Sequence, residues 1–179
     1  MIKRCLALIT LVVMTLSFEP AQAKIVDMSG GGFTIKHTVD VNKSPAEAYR
    51  LFAGRISAWW DPEHTYSGKS ENLSIDVRPN GCFCERLDDQ GNVVHMTVIY
   101  AQPGKVLRMT GALGPLQQFA TAGVLTIEFS GDAQHSVVNL TYAVGGYIPG
   151  GFEKLAPAVD QVMVGQLTRF EQFVKTVKP

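Results

Sequence analysis

Residues Ala156–Val177 read APAVDQVMVGQLTRFEQFVKTV, and this stretch decides the fold. Its apolar positions are Val159, Val162, Met163, Leu167, Phe170, Phe173, Val174 and Val177. Steps of three and four place them in one broad stripe on a helix. Asp160, Gln161, Arg169, Gln172 and Lys175 fall mainly on the other side. Such a helix spans roughly 33 Å at 1.5 Å per residue. Gly165 interrupts it between Met163 and Leu167. Glycine there implies either close approach of a neighbouring sheet or room left over a pocket.

Everything before this helix is rich in strand patterns. Phe33, Ile35, His37, Val39 and Val41 alternate with Thr34, Lys36, Thr38 and Asp40, the pattern of a half-buried strand. Ser44-Pro45-Ala46-Glu47 combines an N-cap serine, proline at the first helical position and glutamate at the third. It predicts a helix to about Ala53, with a second short helix over Arg55–Trp60 that Asp61-Pro62 ends. From Asn72 onward six strands follow, punctuated by Pro79-Asn80-Gly81, Asp88-Asp89-Gln90-Gly91, Pro103-Gly104 and Gly131-Asp132. The expected fold class is α+β. A curved, seven-stranded and mainly antiparallel sheet wraps the long C-terminal helix, because sheet and helix must cover each other's apolar faces.

The chain has 179 residues, the size of one domain. Lys3-Arg4, the apolar run Cys5–Leu16 and the small-x-small triplet Ala21-Gln22-Ala23 read as a secretory signal peptide over residues 1–23. Residues 24–32 form a polar lead-in that is expected to be loose, and 33–179 form the single domain. Removing the signal takes away Lys3, Arg4 and Glu19, leaving 14 basic and 15 acidic residues and a net charge of −1. That balance argues against nucleic acid or an anionic membrane as partner. No other segment is a membrane span, so the expectation is an exported protein, periplasmic or secreted, with no stable membrane insertion. The sequence leaves oligomeric state open. Cys82 and Cys84 remain in the mature chain. Residues i and i+2 of a flat strand lie about 6.5–7 Å apart, at the limit for a disulfide. Two thiols or an intermolecular bond are therefore expected, unless Gly81 makes a bulge that brings the pair together.

The order of elements resembles the helix-grip fold of the START-like (SRPBCC) superfamily. That group includes birch-pollen allergens, polyketide cyclases and heat-shock-protein ATPase activator homologues. The residues carrying the resemblance are Ser44-Pro45-Ala46-Glu47-Ala48 leading to Trp59-Trp60, then Pro79 to Glu85, Pro103 to Arg108 and the C-terminal helix. It covers about residues 33–177. Cys82 and Cys84 depart from the Gly-Gly-x-Phe pattern common in that group. The resemblance implies a cavity between the sheet and the final helix. It implies little about function, since carriers, cyclases, dehydratases and co-chaperone modules share the fold.

Several side chains are candidates to line that cavity. If Asp89-Gln90-Gly91 is a three-residue loop with glycine left-handed, Leu87 faces Val93 and Glu85 faces His95. Phe83, Glu85, Leu87, Val93, His95, Thr97 and Ile99 then share the concave face. Glu85 and His95 would form a carboxylate–imidazole pair, fit for general base work or for holding a polar ligand group. The same pair serves equally well as a buried tie between strands. Of Trp59 and Trp60, one is expected to plug the core and the other to form a cavity lip, and Trp60 is the candidate for the lip. Leu116 and Phe119 lie in a long connection that either flaps over the cavity or tucks onto the helix end. Tyr142, Met163, Gln166 and Phe170 complete the candidate set. His64, with His95 and Glu85, lacks the tight spacing of a metal site, and no cofactor motif is present. The first expectation is a cofactor-free protein binding a small hydrophobic or amphipathic molecule. The alternatives are a cyclase or dehydratase with His95 as base and Glu85 orienting it, or a protein-partner module.

Overall fold

The computed structural model describes residues 24–178, so the signal-peptide reading of residues 1–23 lies outside the described residues. Eight strands form one antiparallel sheet: β1 (Ile25–Ser29), β2 (Gly32–Val41), β3 (Leu73–Ile75), β4 (Cys82–Arg86), β5 (Asn92–Gln102), β6 (Val106–Gly111), β7 (Ala120–Gly131) and β8 (Ser136–Tyr147). Their spatial order is β1-β2-β8-β7-β6-β5-β4-β3. Helices α1 (Pro45–Gly54) and α2 (Ile56–Trp59) follow β2, and α3 (Ala156–Thr176) closes the chain. This is the helix-grip arrangement. The strand count is eight rather than seven because the lead-in is not loose. After a turn at Gly30-Gly31, β1 pairs with β2 along the sheet edge.

Local chemistry accounts for the helix starts. The Ser44 hydroxyl accepts from the Glu47 N–H at 3.4 Å, and Pro45 opens α1. The Glu47 carboxylate turns to Arg50 instead of reaching back, so half of the capping box forms. Phe52 of α1 meets Trp59 at 4.8 Å and Phe170 of α3 at 5.1 Å. Around them Leu107, Ile127, Val138, Leu140 and Leu167 seal the core against the sheet. Filling the space under the middle of α3 in this way leaves only a small void there, lined by Phe52, Trp59, Met163 and Leu167. None of the described helices is long and apolar enough to cross a membrane.

The β4–β5 hairpin departs from the expected register. Gln90, not Gly91, is the left-handed residue, with φ of 61°. Glu85 faces Val93 and Arg86 faces Asn92. The shift moves each pairing by two positions, an even number, so Glu85 and His95 stay on one face as diagonal neighbours. A bulge then separates the Phe83–Met96 and Cys84–Val94 pairs, with His95 as the extra residue. Beyond it the strand's parity flips. Met96 and Val98 point inward, while Ile99 is 48% exposed, against the expectation for Ile99. Cys82 and Cys84 form an intrachain disulfide, which corrects the expectation of two thiols or an intermolecular bond. Their Cα atoms are 5.3 Å apart, closer than a flat strand allows, and the segment lies opposite the bulge on β5.

Candidate functional site

A cavity of about 390 Å³ opens between the concave face of the sheet and the first turns of α3. Its inner wall is Trp60, Phe83 and His95, and its helical wall is Leu155, Val159, Val162 and Met163. Glu63, His64, Tyr66, Leu113, Pro115 and Gln118 form the mouth. The lining is mostly apolar with few polar groups, the usual make-up of a small-molecule site.

The two tryptophans divide, Trp59 into the core as expected, but Trp60 is a buried part of the inner wall and not a lip. Trp59 is packed into the core against Phe170 at 5.3 Å. Trp60 follows the last turn of α2 in extended backbone, so it swings toward the cavity and meets Phe83 edge-on at 5.3 Å. Its Nε1–H donates to the His64 carbonyl at 3.0 Å. The Tyr66 hydroxyl donates to the Gly114 carbonyl at 3.1 Å and so joins the two loops of the mouth.

The main polar feature of the inner wall is the Glu85–His95 pair. Glu85 is fully buried, and its Oε2 lies 3.0 Å from Nε2 of His95. The carboxylate also accepts from the Tyr66 N–H at 3.1 Å and the Ser67 N–H at 2.5 Å. Burial opposes its charge, but the hydrogen bonds from Ser67, Tyr66 and His95 outweigh burial and hold its pKa below the usual glutamate value. Burial pushes the His95 imidazole below the usual histidine value, and the attraction of Glu85 does not reverse this. An ionised Glu85 accepts only, so a neutral His95 must carry its proton on Nε2 and leave Nδ1 as a lone pair. The rings of Phe83 at 4.8 Å and Tyr66 at 5.9 Å lie tilted against the imidazole.

Of the residues singled out in the sequence, Trp60, Phe83, His95 and Met163 line the cavity. Glu85 sits behind His95 with no exposed surface. Leu116 and Phe119 do not line it, because Gly114–Gln118 is a 3-10 turn with threefold spacing. That spacing turns Pro115 and Gln118 to the cavity and Leu116 into the core, while Phe119, the extended residue after the turn, faces solvent. Tyr142 is buried beneath the wall, its hydroxyl accepting from the Leu113 N–H at 3.1 Å. Gln166 reaches the other way and accepts from the Asp61 N–H at 2.9 Å, fixing the turn after Trp60. Phe170 belongs to the aromatic core with Phe52 and Trp59. Gly165 faces open space, neither the sheet nor the cavity. His64 stays at the mouth, and no cluster of three metal-ligating side chains occurs among the described residues.

Sequence reasoning missed a second buried pair. Nε2 of His37 lies 2.7 Å from Oδ1 of Asp160, and both side chains are buried. The apolar stripe puts Asp160 mainly on the outer side of α3, but the sheet wraps further round the helix than that stripe extends, and Asp160 is buried. The available signal was His37 itself, an imidazole in the inward register of β2, which needs a polar partner. The pair ties β2 to the turn of α3 that carries Val159 and Val162.

No protein-family model matches the chain, and no curated protein matches it. Solved structures with the same fold exist at low identity. A conserved protein of unknown function from Enterococcus faecalis is 13% identical, with TM-score 0.56, over 85% of this chain and 78% of its own. A protein from Rhizobium loti is 16% identical, with TM-score 0.56, over 78% of this chain and 94% of its own. The major latex-like protein 151 of Panax ginseng is 10% identical, with TM-score 0.54, over 80% of this chain and 98% of its own. These likenesses show the fold.

Proposed function

We propose that this chain is an exported START-like protein that binds a small hydrophobic or amphipathic molecule between its sheet and α3. One observation carries the reading: an apolar cavity of about 390 Å³ with a single oriented imidazole in its inner wall. The latex-like relative in fold is consistent with it. Export rests on the signal-like residues 1–23, and a disulfide suits an oxidising compartment. Cleavage after Ala23 is tested by the N-terminal mass of the protein recovered from the exported fraction.

Binding is tested with N-phenylnaphthylamine, a neutral dye that brightens in apolar surroundings. The wild-type chain should bind it at one site. Val162→Trp, which fills the cavity from the helical wall, should lose that signal while keeping its fold. Unchanged dye binding in this variant would place the ligand elsewhere and sink the reading.

A second reading, cofactor-free acid–base catalysis of the cyclase or dehydratase type, is favoured by the orientation of neutral His95 on ionised Glu85. It requires that a bound compound be converted, and that His95→Gln stop conversion while binding stays within a few fold.

A further inference from the structure

The ligand class follows from the direction of one hydrogen bond, given the binding reading above, on which this inference rests. Glu85 is committed as an acceptor by the backbone N–H groups of Tyr66 and Ser67, so it takes the His95 proton at Nε2. Nδ1 of His95 then holds a lone pair and makes no hydrogen bond among the described residues. It is not sealed off either: the described buried polar atoms that lack a partner are Tyr49 Oη and Asp160 Oδ2. The opening at His95 is the cavity. Beside His95 the side-chain hydrogens are already committed, while the His64 ring and the Gln118 amide, both exposed, lie at the mouth. Trp60 Nε1–H goes to the His64 carbonyl, Thr65 Oγ1–H to the Pro62 carbonyl and Tyr66 Oη–H to the Gly114 carbonyl. The deep end of the cavity therefore offers an acceptor and lacks a free donor.

We propose that the cavity selects uncharged apolar molecules carrying a hydrogen-bond donor, an alcohol or phenol in particular, and discriminates against ketones, ethers and carboxylates of the same shape. A hydroxyl donates to Nδ1 and satisfies it. A carbonyl or ether oxygen would oppose lone pair to lone pair and leave Nδ1 buried without a partner, a recognised source of discrimination. A carboxylate would in addition bring a second negative charge beside the buried Glu85. The ring walls of Trp60, Phe83 and Tyr66 suit a planar body.

The test compares naphthol, its methyl ether and naphthoate by titration calorimetry on the full mature chain at neutral pH. Naphthol should bind about tenfold or more tightly than the ether, the effect of one buried hydrogen bond made or lost, and naphthoate weakest. Ether or naphthoate binding as tightly as naphthol overturns this inference and leaves the cavity reading standing. Failure of all three to bind overturns the cavity reading itself. His95→Phe should narrow the naphthol-to-ether ratio to about twofold or less, since the ratio depends on one acceptor. Persistence of the ratio in the folded variant would assign selectivity to another group. Imidazole nitrogen NMR of the wild type gives a readout independent of that variant's folding. On adding naphthol the Nδ1 signal of His95 should shift while Nε2 keeps its proton, and an unmoved Nδ1 signal overturns the inference.

Discussion

Glu85 gathers three hydrogen bonds on one buried carboxylate: Tyr66 and Ser67 from the loop at the mouth and His95 from β5. Glu85→Gln keeps the shape but turns an amide donor toward one of those donors, so it should cost about 1–3 kcal/mol at neutral pH in urea unfolding. Acid should act in two stages. His95 has a folded pKa below its ordinary 6.5, so the unfolded chain takes up that proton first. The associated stability is present above 6.5 and is lost as pH falls through the window beneath it. Glu85 has a folded pKa below 4.5, so its stability is present above 4.5 and lost as pH falls through the folded value. The lower stage should be shallower in Glu85→Gln. Tyr142 behaves in the opposite sense. Burial pushes its phenol up to about 12, outweighing the Leu113 N–H bond that favours the charged form. Its contribution is complete below about 10 and is lost as pH rises toward about 12. In an ultraviolet titration Tyr142→Phe should remove a late-ionising tyrosine. At this scale the sequence was partly legible. A carboxylate and an imidazole on one apolar face announce themselves as a pair, whereas the burial of Asp160 depends on how far a sheet curls, which no residue type encodes.

Helix α3 and the β4–β5 hairpin show where periodicity is sufficient and where it is not. The apolar stripe of α3 identified its inward positions, with Met163, Leu167, Phe170 and Val174 all buried. The hairpin's same-face pairing survived an error in register because the error was even. The bulge at His95 then reversed the strand's parity, and bulges follow from local backbone geometry that alternation does not record. Gly165 is the converse case, a residue that suggested a role and has none in packing. A Cβ added there meets no atom within 4 Å, and the position is inside a 21-residue helix. Gly165→Ala should therefore stabilise the protein by up to about 1 kcal/mol, the helix-propensity difference. Ligand affinity should stay unchanged, because Gly165 is not among the residues lining the cavity. A loss of stability in thermal or urea unfolding would mean that the glycine is needed for a close approach.

Across the whole molecule, core and cavity divide the space under α3 between them. Phe52, Trp59 and Phe170 fill the middle, and the volume left under the first turns is held open by polar ties on each side. His37–Asp160 fixes the helix to β2, Gln166 fixes the Asp61 turn, and Tyr142 fixes Leu113. The fold thus pre-forms its cavity instead of relying on a ligand to create it, so occupancy should add stability with little rearrangement. A ligand at one hundred times its Kd contributes about 2.7 kcal/mol. For a domain of this size each kcal/mol raises Tm by about 2–4 °C, so saturation should raise it by roughly 5–10 °C. Val162→Trp should separate the two sources of that gain. Filling the apolar void with protein atoms replaces contacts the empty wall lacks, so the unliganded variant should melt no lower than wild type. Naphthol should then add nothing to it. A variant that melts lower and still responds to ligand would mean that the helical wall moves aside and that the cavity is made by binding.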